Sequence, residues 1–185
     1  MKISVVIPCY NEEKTILEIL RRVNKQKSKF DIEIVISDDG SRDRTRDLLS
    51  DNKELYDKLI LNKNNKGKGA ALKKAIDLAS GDIILFQDAD LEYNPNDYER
   101  LIKPFIEDNA DVVFGSRFLG SSSHRLIYYS HRIANFLLTN LVNIFTNINY
   151  SDVETGYKVF KRSILKDIIL NENSFGIEIE VTMKI

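Results

Sequence analysis

Apolar residues gather in five short runs, Ile3–Ile7, Ile32–Ser37, Lys58–Leu61, Asp82–Phe86 and Asp111–Gly115, each bounded by polar or turn-forming residues. Runs of this length read as buried strands. Between them the apolar positions fall at helical spacing, as in Ile16, Ile19, Leu20 and Val23, and in Tyr98, Leu101, Ile102, Phe105 and Ile106. Asn96 is placed to cap the second of these helices, with Glu99 returning the bond. Gly81 suits the left-handed residue that closes a helix over Ala70–Ala79. Strand alternating with helix predicts an α/β fold, a mainly parallel sheet covered on both faces. Such sheets bind ligands beyond the carboxyl ends of their strands. The polar clusters Pro8–Glu12, Asp38–Ser41, Asp88–Asp90 and Ser116–Arg117 all fall there.

Asp88-Ala89-Asp90 is the most telling of these clusters. Two carboxylates at i and i+2 past a strand repel one another unless a cation or solvent offsets them. A hard ion such as Mg²⁺ or Mn²⁺ accepts oxygen ligands and leaves positions open for phosphate oxygens. Taken alone, the pair reads equally well as a solvated acidic loop.

Past Arg117 the pattern changes. Gly120-Ser121-Ser122-Ser123 has the composition of a flexible loop. Ile127 to Phe145 is then helical in pattern but carries Tyr128, Phe136, Leu137, Leu141 and Phe145, more apolar circumference than one stripe needs. A core helix is the ordinary expectation for such a segment; a surface that meets lipid or a partner is the functional one.

Composition narrows the class. The 185 residues suit a single domain, and 43% hydrophobic with 30% charged residues is a globular balance. A formal net charge of −1 gives no bulk attraction to nucleic acid. Cys9 is the one cysteine, so no internal disulfide forms and a reducing compartment fits; no nearby histidine supports it as a nucleophile. Pro8 ends the first apolar run too early for a signal peptide, and no run approaches the roughly 20 residues of a membrane span. Glu178 to Ile185 reads as the opening of a helix, and the expectation is that the natural chain continues.

Familiar phosphate cradles are missing. The turn after the first strand, Pro8-Cys9-Tyr10-Asn11-Glu12, has no glycine, and Lys66-Gly67-Lys68-Gly69 lacks P-loop spacing. A metal at Asp88 and Asp90, aided by Arg117, would hold phosphate instead. Asp38-Asp39-Gly40-Ser41 offers a carboxylate to ribose hydroxyls or a base edge, or it is a plain turn with Ser41 or Asp43 capping the next helix. The lysines beside Gly67 can approach an anionic substrate.

Together these residues resemble the family 2 glycosyltransferases of the GT-A fold, nearest the branch that makes polyprenyl- or dolichyl-phosphate sugars. The resemblance rests on Pro8–Glu12, Asp38–Ser41, Gly67–Ala71, Asp88–Glu92 and Gly115–Arg117, with Asp152–Phe160 and Phe175–Glu180 similar to the acceptor-side segment. It implies that Pro8, Tyr10, Asn11, Glu12 and Asp39 hold the nucleoside of a GDP- or UDP-sugar, with Lys68 and Ala89 beside the donor. It implies a divalent ion, Mg²⁺ or Mn²⁺, on Asp88 and Asp90. Arg117 would meet phosphate, and His131 and Arg132 would face the acceptor. Asp152 is the first candidate for base or acceptor-orienting group and Glu154 the second. Glu92 stands where many relatives carry glutamine. The implied reaction is a single inverting displacement onto polyprenyl phosphate by an enzyme peripheral to the cytoplasmic face of a membrane. Alternatives are a same-fold transferase with a soluble or polysaccharide acceptor, a sugar-1-phosphate nucleotidyltransferase, whose Arg-containing glycine loop is absent, and a non-catalytic nucleotide-sugar binder.

Overall fold

A computed structural model describes residues 1–118 and 128–185; the serine-rich segment and Ile127 lie outside the described residues. In chain order the elements are β1 (Lys2–Cys9), α1 (Ile16–Gln26), β2 (Asp31–Asp38), α2 (Thr45–Asp51), β3 (Lys58–Leu61), α3 (Lys68–Leu78), β4 (Ile83–Phe86), α4 (Tyr98–Glu107), β5 (Val112–Phe114), α5 (Tyr129–Thr146), β6 (Lys158–Lys161), α6 (Arg162–Asp167) and α7 (Ile177–Met183). Six strands form one sheet in the order β3-β2-β1-β4-β6-β5. β1 pairs in parallel with β2 and β4, as β2 does with β3. The sheet is therefore mainly parallel, as its alternating pattern predicts, and each of the five expected strands is present.

β6 was not expected. It runs antiparallel between β4 and β5, pairing Leu85 with Val159 on one side and Val113 with Val159 on the other. Its sequence, Lys-Val-Phe-Lys, places a charge at either end of two apolar residues, too brief for a strand signal.

β1 is buried on both faces, which explains its nearly unbroken apolar sequence. Ile3, Val5 and Ile7 face α1 and α4 through Ile19, Leu20, Val23, Leu101 and Ile102. Val6, with Val35, Ile84, Phe86 and Phe160, faces α3 and α7 through Leu72, Ala75, Ile177 and Val181. Helices thus cover both sides.

Two local expectations are corrected. Asn96 does not cap α4: it lies in a short 3₁₀ turn, Pro95–Asp97, that Asn94 caps, and its Oδ1 accepts from Gln26 Nε2 at 3.0 Å. Gly81 is not left-handed; the positive-φ glycines among the described residues are Gly40 and Gly67. Gly81 is required for space instead, since a Cβ there would fall 2.6 Å from the Ser4 nitrogen.

The core expectation for the apolar helix is also overturned. α5 turns Asn135 (3% exposed), Thr139 and Val142 inward, while Phe136 (64%), Leu137, Leu141, Ile144 (77%) and Phe145 face outward. The polar side chains pack against the body of the protein, and the large apolar ones form a continuous outer face. Among the described residues no helix is long and apolar enough to cross a membrane.

Candidate active site

β1, β2 and β4 all point their carboxyl ends at one cleft of about 440 Å³. Pro8, Tyr10, Glu12 and Asp39 line one part of it; Lys68, Asp88, Ala89 and Asp90 line another. This is the place where strand order departs to either side of β1, the expected crevice of an open parallel sheet. These eight residues, dispersed over 83 positions of sequence, are thereby brought together.

Local turns set each of them. β4 ends at Phe86, so Asp88 and Asp90 flank a turn rather than share a strand face. Leu91 is left-handed at φ 66°, and the Asp90 carboxylate accepts from the Glu92 N–H at 3.0 Å. Asn11 is left-handed as well; its N–H donates to Ser41 Oγ at 2.9 Å and its Oδ1 accepts from the Arg42 N–H at 2.8 Å. It therefore ties the first turn to the second and does not line the cleft. Neither Ser41 nor Asp43 is the N-cap of α2, which is Arg44; Asp43, one residue earlier, accepts from the N–H of Thr45, the first residue of that helix, at 3.0 Å.

Asp38 and Asp39 have separate tasks. Asp38 is fully buried and accepts from the Gly40 and Ser41 N–H groups and from Arg46. Asp39 Oδ2 accepts from the Lys66 and Gly67 N–H groups at 2.9 and 2.7 Å, drawing the loop before α3 up to the cleft. Gly67 sits at φ 100°, where a Cβ would strike the Asn173 carbonyl oxygen at 2.3 Å. That contact seats residues 173–175 as a further wall, and Ser174 and Phe175 line the same cleft. Of the segment Phe175–Glu180, Phe175 lines the cleft of Pro8, Asp39 and Asp88, whereas Gly176, Ile179 and Glu180 line a separate depression. Asn65 and Ser174 had no motif to mark them; Phe175, an aromatic at 77% exposure, was marked only as part of the segment Phe175–Glu180, and its place in this cleft comes from the fold.

Charge is concentrated around Asp88. Lys68 Nζ lies 2.7 Å from Asp88 Oδ1 and 2.5 Å from Glu178 Oε1. Burial works to lower the Lys68 pKa, but Asp88 and Glu178 outweigh it and hold the ammonium above its ordinary value. The Glu12 carboxyl is pushed up, by burial first and then by the charges of Asp90, Asp43 and Asp88, against a hydrogen bond from Thr15. Mutual repulsion among these acids is the condition a divalent cation relieves. Among the described residues no three His, Cys, Asp or Glu side chains gather as a closed metal cage. Two carboxylates at an open cleft fit an ion that completes its oxygen shell with substrate phosphates and water.

A second cleft of about 310 Å³ lies beside α5, lined by Arg117, Phe118, His131, Asn135 and Glu154. Arg132 lies along the neighbouring depression with Phe118, Asn143 and Tyr150. The Arg117 and Arg132 guanidinium carbons stand 5.7 and 5.9 Å from the Phe118 ring centroid. Gly156 packs close against Tyr93 and Asp88. Its N–H donates to the Tyr93 hydroxyl at 2.7 Å, and a Cβ there would fall 2.5 Å from Asp88 Oδ2.

The geometry changes the order of the two candidate bases. Asp152 is buried and held by Arg117 through Nε and a terminal nitrogen, each 2.8 Å away, and by the Arg117 N–H at 3.0 Å. A carboxylate buried and gripped this way offers no open face to a substrate proton. Asp152 is an anchor for Arg117. Glu154, two residues on, is exposed and lines the second cleft.

Comparison with known proteins bears on the family and the fold. The family described as Glycosyl transferase family 2 matches residues 4–169. The dolichol-phosphate mannosyltransferase of Pyrococcus furiosus is 28% identical over 187 residues, covering 100% of this chain and 53% of that protein. A dolichyl-phosphate beta-glucosyltransferase of Trichomonas vaginalis is 30% identical, covering 92% of this chain and 57% of that one. The chain thus spans little more than half the length of these relatives. Among solved structures, glucosyl-3-phosphoglycerate synthase from Mycobacterium tuberculosis, in complex with Mn²⁺, uridine diphosphate and glucosyl-3-phosphoglycerate, superposes with a TM-score of 0.74. That match is 22% identical and covers 96% of this chain and 62% of the synthase, a likeness of fold. The fold class is α/β of the GT-A type.

Proposed function

The chain belongs to glycosyl transferase family 2, and from that premise we propose that it transfers a sugar from a GDP- or UDP-linked donor to polyprenyl or dolichyl phosphate at a membrane surface. The observation that carries the reading is the convergence of Pro8, Tyr10, Asp39, Lys68, Asp88 and Asp90 on one cleft at the carboxyl ends of three parallel strands. Pro8 and Tyr10 supply apolar surface for a nucleoside. Asp39, drawn in by two backbone N–H groups, presents acceptor oxygens at the same end. Lys68 supplies a cation beside the position a diphosphate takes.

Asp88 and Asp90 would hold Mg²⁺ or Mn²⁺. When bound, the ion would neutralise negative charge on the leaving diphosphate. The chain's own contribution is positioning. Arg117, fixed by Asp152, directs a guanidinium into the second cleft, where anionic phosphate would meet it. Arg132 and His131 stand along the same side. A phosphate acceptor is already an anion, so the displacement requires alignment and no strong base. A hydroxyl acceptor would require one, and Glu154 is the carboxylate placed for it.

The lipid acceptor is supported by the likeness to the two dolichyl-phosphate transferases and by α5, whose outward face of Phe136, Leu137, Leu141, Ile144 and Phe145 has the chemistry of an interfacial helix. The reading is tested by offering labelled GDP- and UDP-sugars with Mn²⁺ to a short-chain polyprenyl phosphate in detergent and, separately, to soluble sugars. Transfer to the lipid phosphate is expected. Glycosylation of the soluble acceptors alone would replace the lipid reading with the same-fold alternative.

A further inference from the structure

Lys158 is a lysine with no exposed surface. β6 carries it into the interior, where its Nζ donates to the Val153 carbonyl at 2.9 Å and the Thr155 carbonyl at 2.5 Å. The carboxylate within reach is Glu178, whose Oε2 is 3.8 Å away. The other Glu178 oxygen receives Lys68, which in turn meets Asp88. Four alternating charges, Asp88, Lys68, Glu178 and Lys158, therefore run from the first cleft to the backbone of residues 153–155.

Burial of an ammonium is costly, and an apolar side chain of similar volume commonly fills such a place at no loss of stability. The position of this one points to another role. Its two acceptor carbonyls belong to the residues on either side of Glu154. Val153 and Thr155 are buried while Glu154 is exposed, so the lysine pins the segment from both sides and holds the Glu154 side chain outward into the second cleft. Burial draws the Lys158 pKa down to about 8, with Glu178 raising it and Lys68 lowering it further, so the group is still a cation at neutral pH.

We propose that Lys158 is a positioning residue for sugar transfer: through the Val153 and Thr155 carbonyls it fixes the acceptor-side segment, and through Glu178 it sets that segment against the Lys68–Asp88 pair. The proposal rests on the transferase reading above. Its distinguishing consequence is that acceptor use and donor use separate. Hydrolysis of the nucleotide-sugar by water needs the first cleft alone, whereas transfer needs the pinned segment as well.

The experiment measures both rates, with nucleoside diphosphate affinity by calorimetry, in the parent chain, Lys158→Met and Lys158→Gln. In Lys158→Met, transfer is expected to fall at least tenfold, while donor hydrolysis and diphosphate affinity stay within twofold. Lys158→Gln, which keeps a donor for one carbonyl, is expected to recover part of the transfer. Where methionine lowers the yield of folded protein, the glutamine variant carries the same comparison. Equal losses of transfer and hydrolysis, or transfer at the parent rate in both variants, would overturn the proposal. Failure of the transferase reading is visible in the parent alone, as no turnover of any donor, and would remove this proposal with it.

Discussion

Arg117 and Asp152 form a three-point clasp: two guanidinium bonds of 2.8 Å and a backbone N–H bond of 3.0 Å converge on one buried carboxylate. The clasp joins the end of β5 to the segment before β6, fixing one wall of the second cleft. It also separates the two acids of Asp152-Val153-Glu154 by task. The Asp152 bonds push the Arg117 pKa further above its ordinary value, against burial, which works to lower it.

Asp152→Asn is expected to act first on stability. It leaves a mostly buried guanidinium without its counter-charge, which costs about 2–4 kcal/mol after allowing for the partial exposure of Arg117. Chemical denaturation of the parent and variant measures this. Unchanged stability would show that the clasp is dispensable and would return Asp152 to consideration as a reacting group.

Glu154→Gln separates the acceptor classes. General-base catalysis contributes roughly 10²–10⁴-fold where a hydroxyl must lose its proton. With a lipid phosphate acceptor, Glu154→Gln is expected to slow transfer by no more than about tenfold and to leave the melting temperature unchanged. A loss of 10² or more in kcat would mean that the natural acceptor is a hydroxyl.

The opposite end of the sheet predicts a pH dependence of stability. Glu33 is buried beside β1, where its carboxylate accepts from Ser4 Oγ at 2.6 Å and from the Ser80 N–H and hydroxyl at 2.9 Å, and pairs with Lys58 at 2.6 Å. Burial alone would raise its pKa, but these bonds outweigh it and bring the group to about 2. A depressed carboxylate stabilises the fold above its unfolded pKa near 4.5 and loses that contribution as pH falls through the window down to 2. Glu33→Gln should therefore cost about 2 kcal/mol at pH 7, and the two denaturation curves should converge as pH approaches 2. A difference that persists at pH 2 would assign the effect to packing.

The outward face of α5 gives a prediction separable from chemistry. Replacing Phe136, Leu137 and Leu141 with serine removes apolar surface that contributes little to the core, so stability should change by less than about 1 kcal/mol. Binding to vesicles of neutral phospholipid, followed by flotation, should weaken at least tenfold. Equal flotation of parent and variant would dismiss this face as a membrane contact.

Much of this was legible in the sequence, and for physical reasons. Strands buried on both faces, such as β1 and β4, carry dense apolar runs, and turns at their carboxyl ends show as Pro8–Glu12 and Asp88–Asp90. What was not legible depends on tertiary context. β6 is held by two neighbours rather than by its own propensity, and Lys158 within it reads as a surface cation until Val153 and Thr155 are seen around it. The direction of α5 was hidden because its pattern shows how much apolar surface exists, not which face meets the protein. Phe175 belongs to the first cleft through the contact of Gly67 with Asn173, a relation spanning more than a hundred residues. The resemblance ranks Asp152 ahead of Glu154, and the burial of Asp152 against Arg117, which sets the two acids apart, is not visible in the sequence.

The most direct measurement of the central claim is calorimetric titration of GDP and UDP into the parent chain, Asp88→Asn and Asp90→Asn, with and without Mn²⁺. Each substitution relieves acidic crowding, so both variants should fold. The account predicts Mn²⁺-dependent binding of one or both diphosphates by the parent, lost by at least tenfold in either variant and in excess chelator. Binding of equal strength in the variants and in chelator would contradict it.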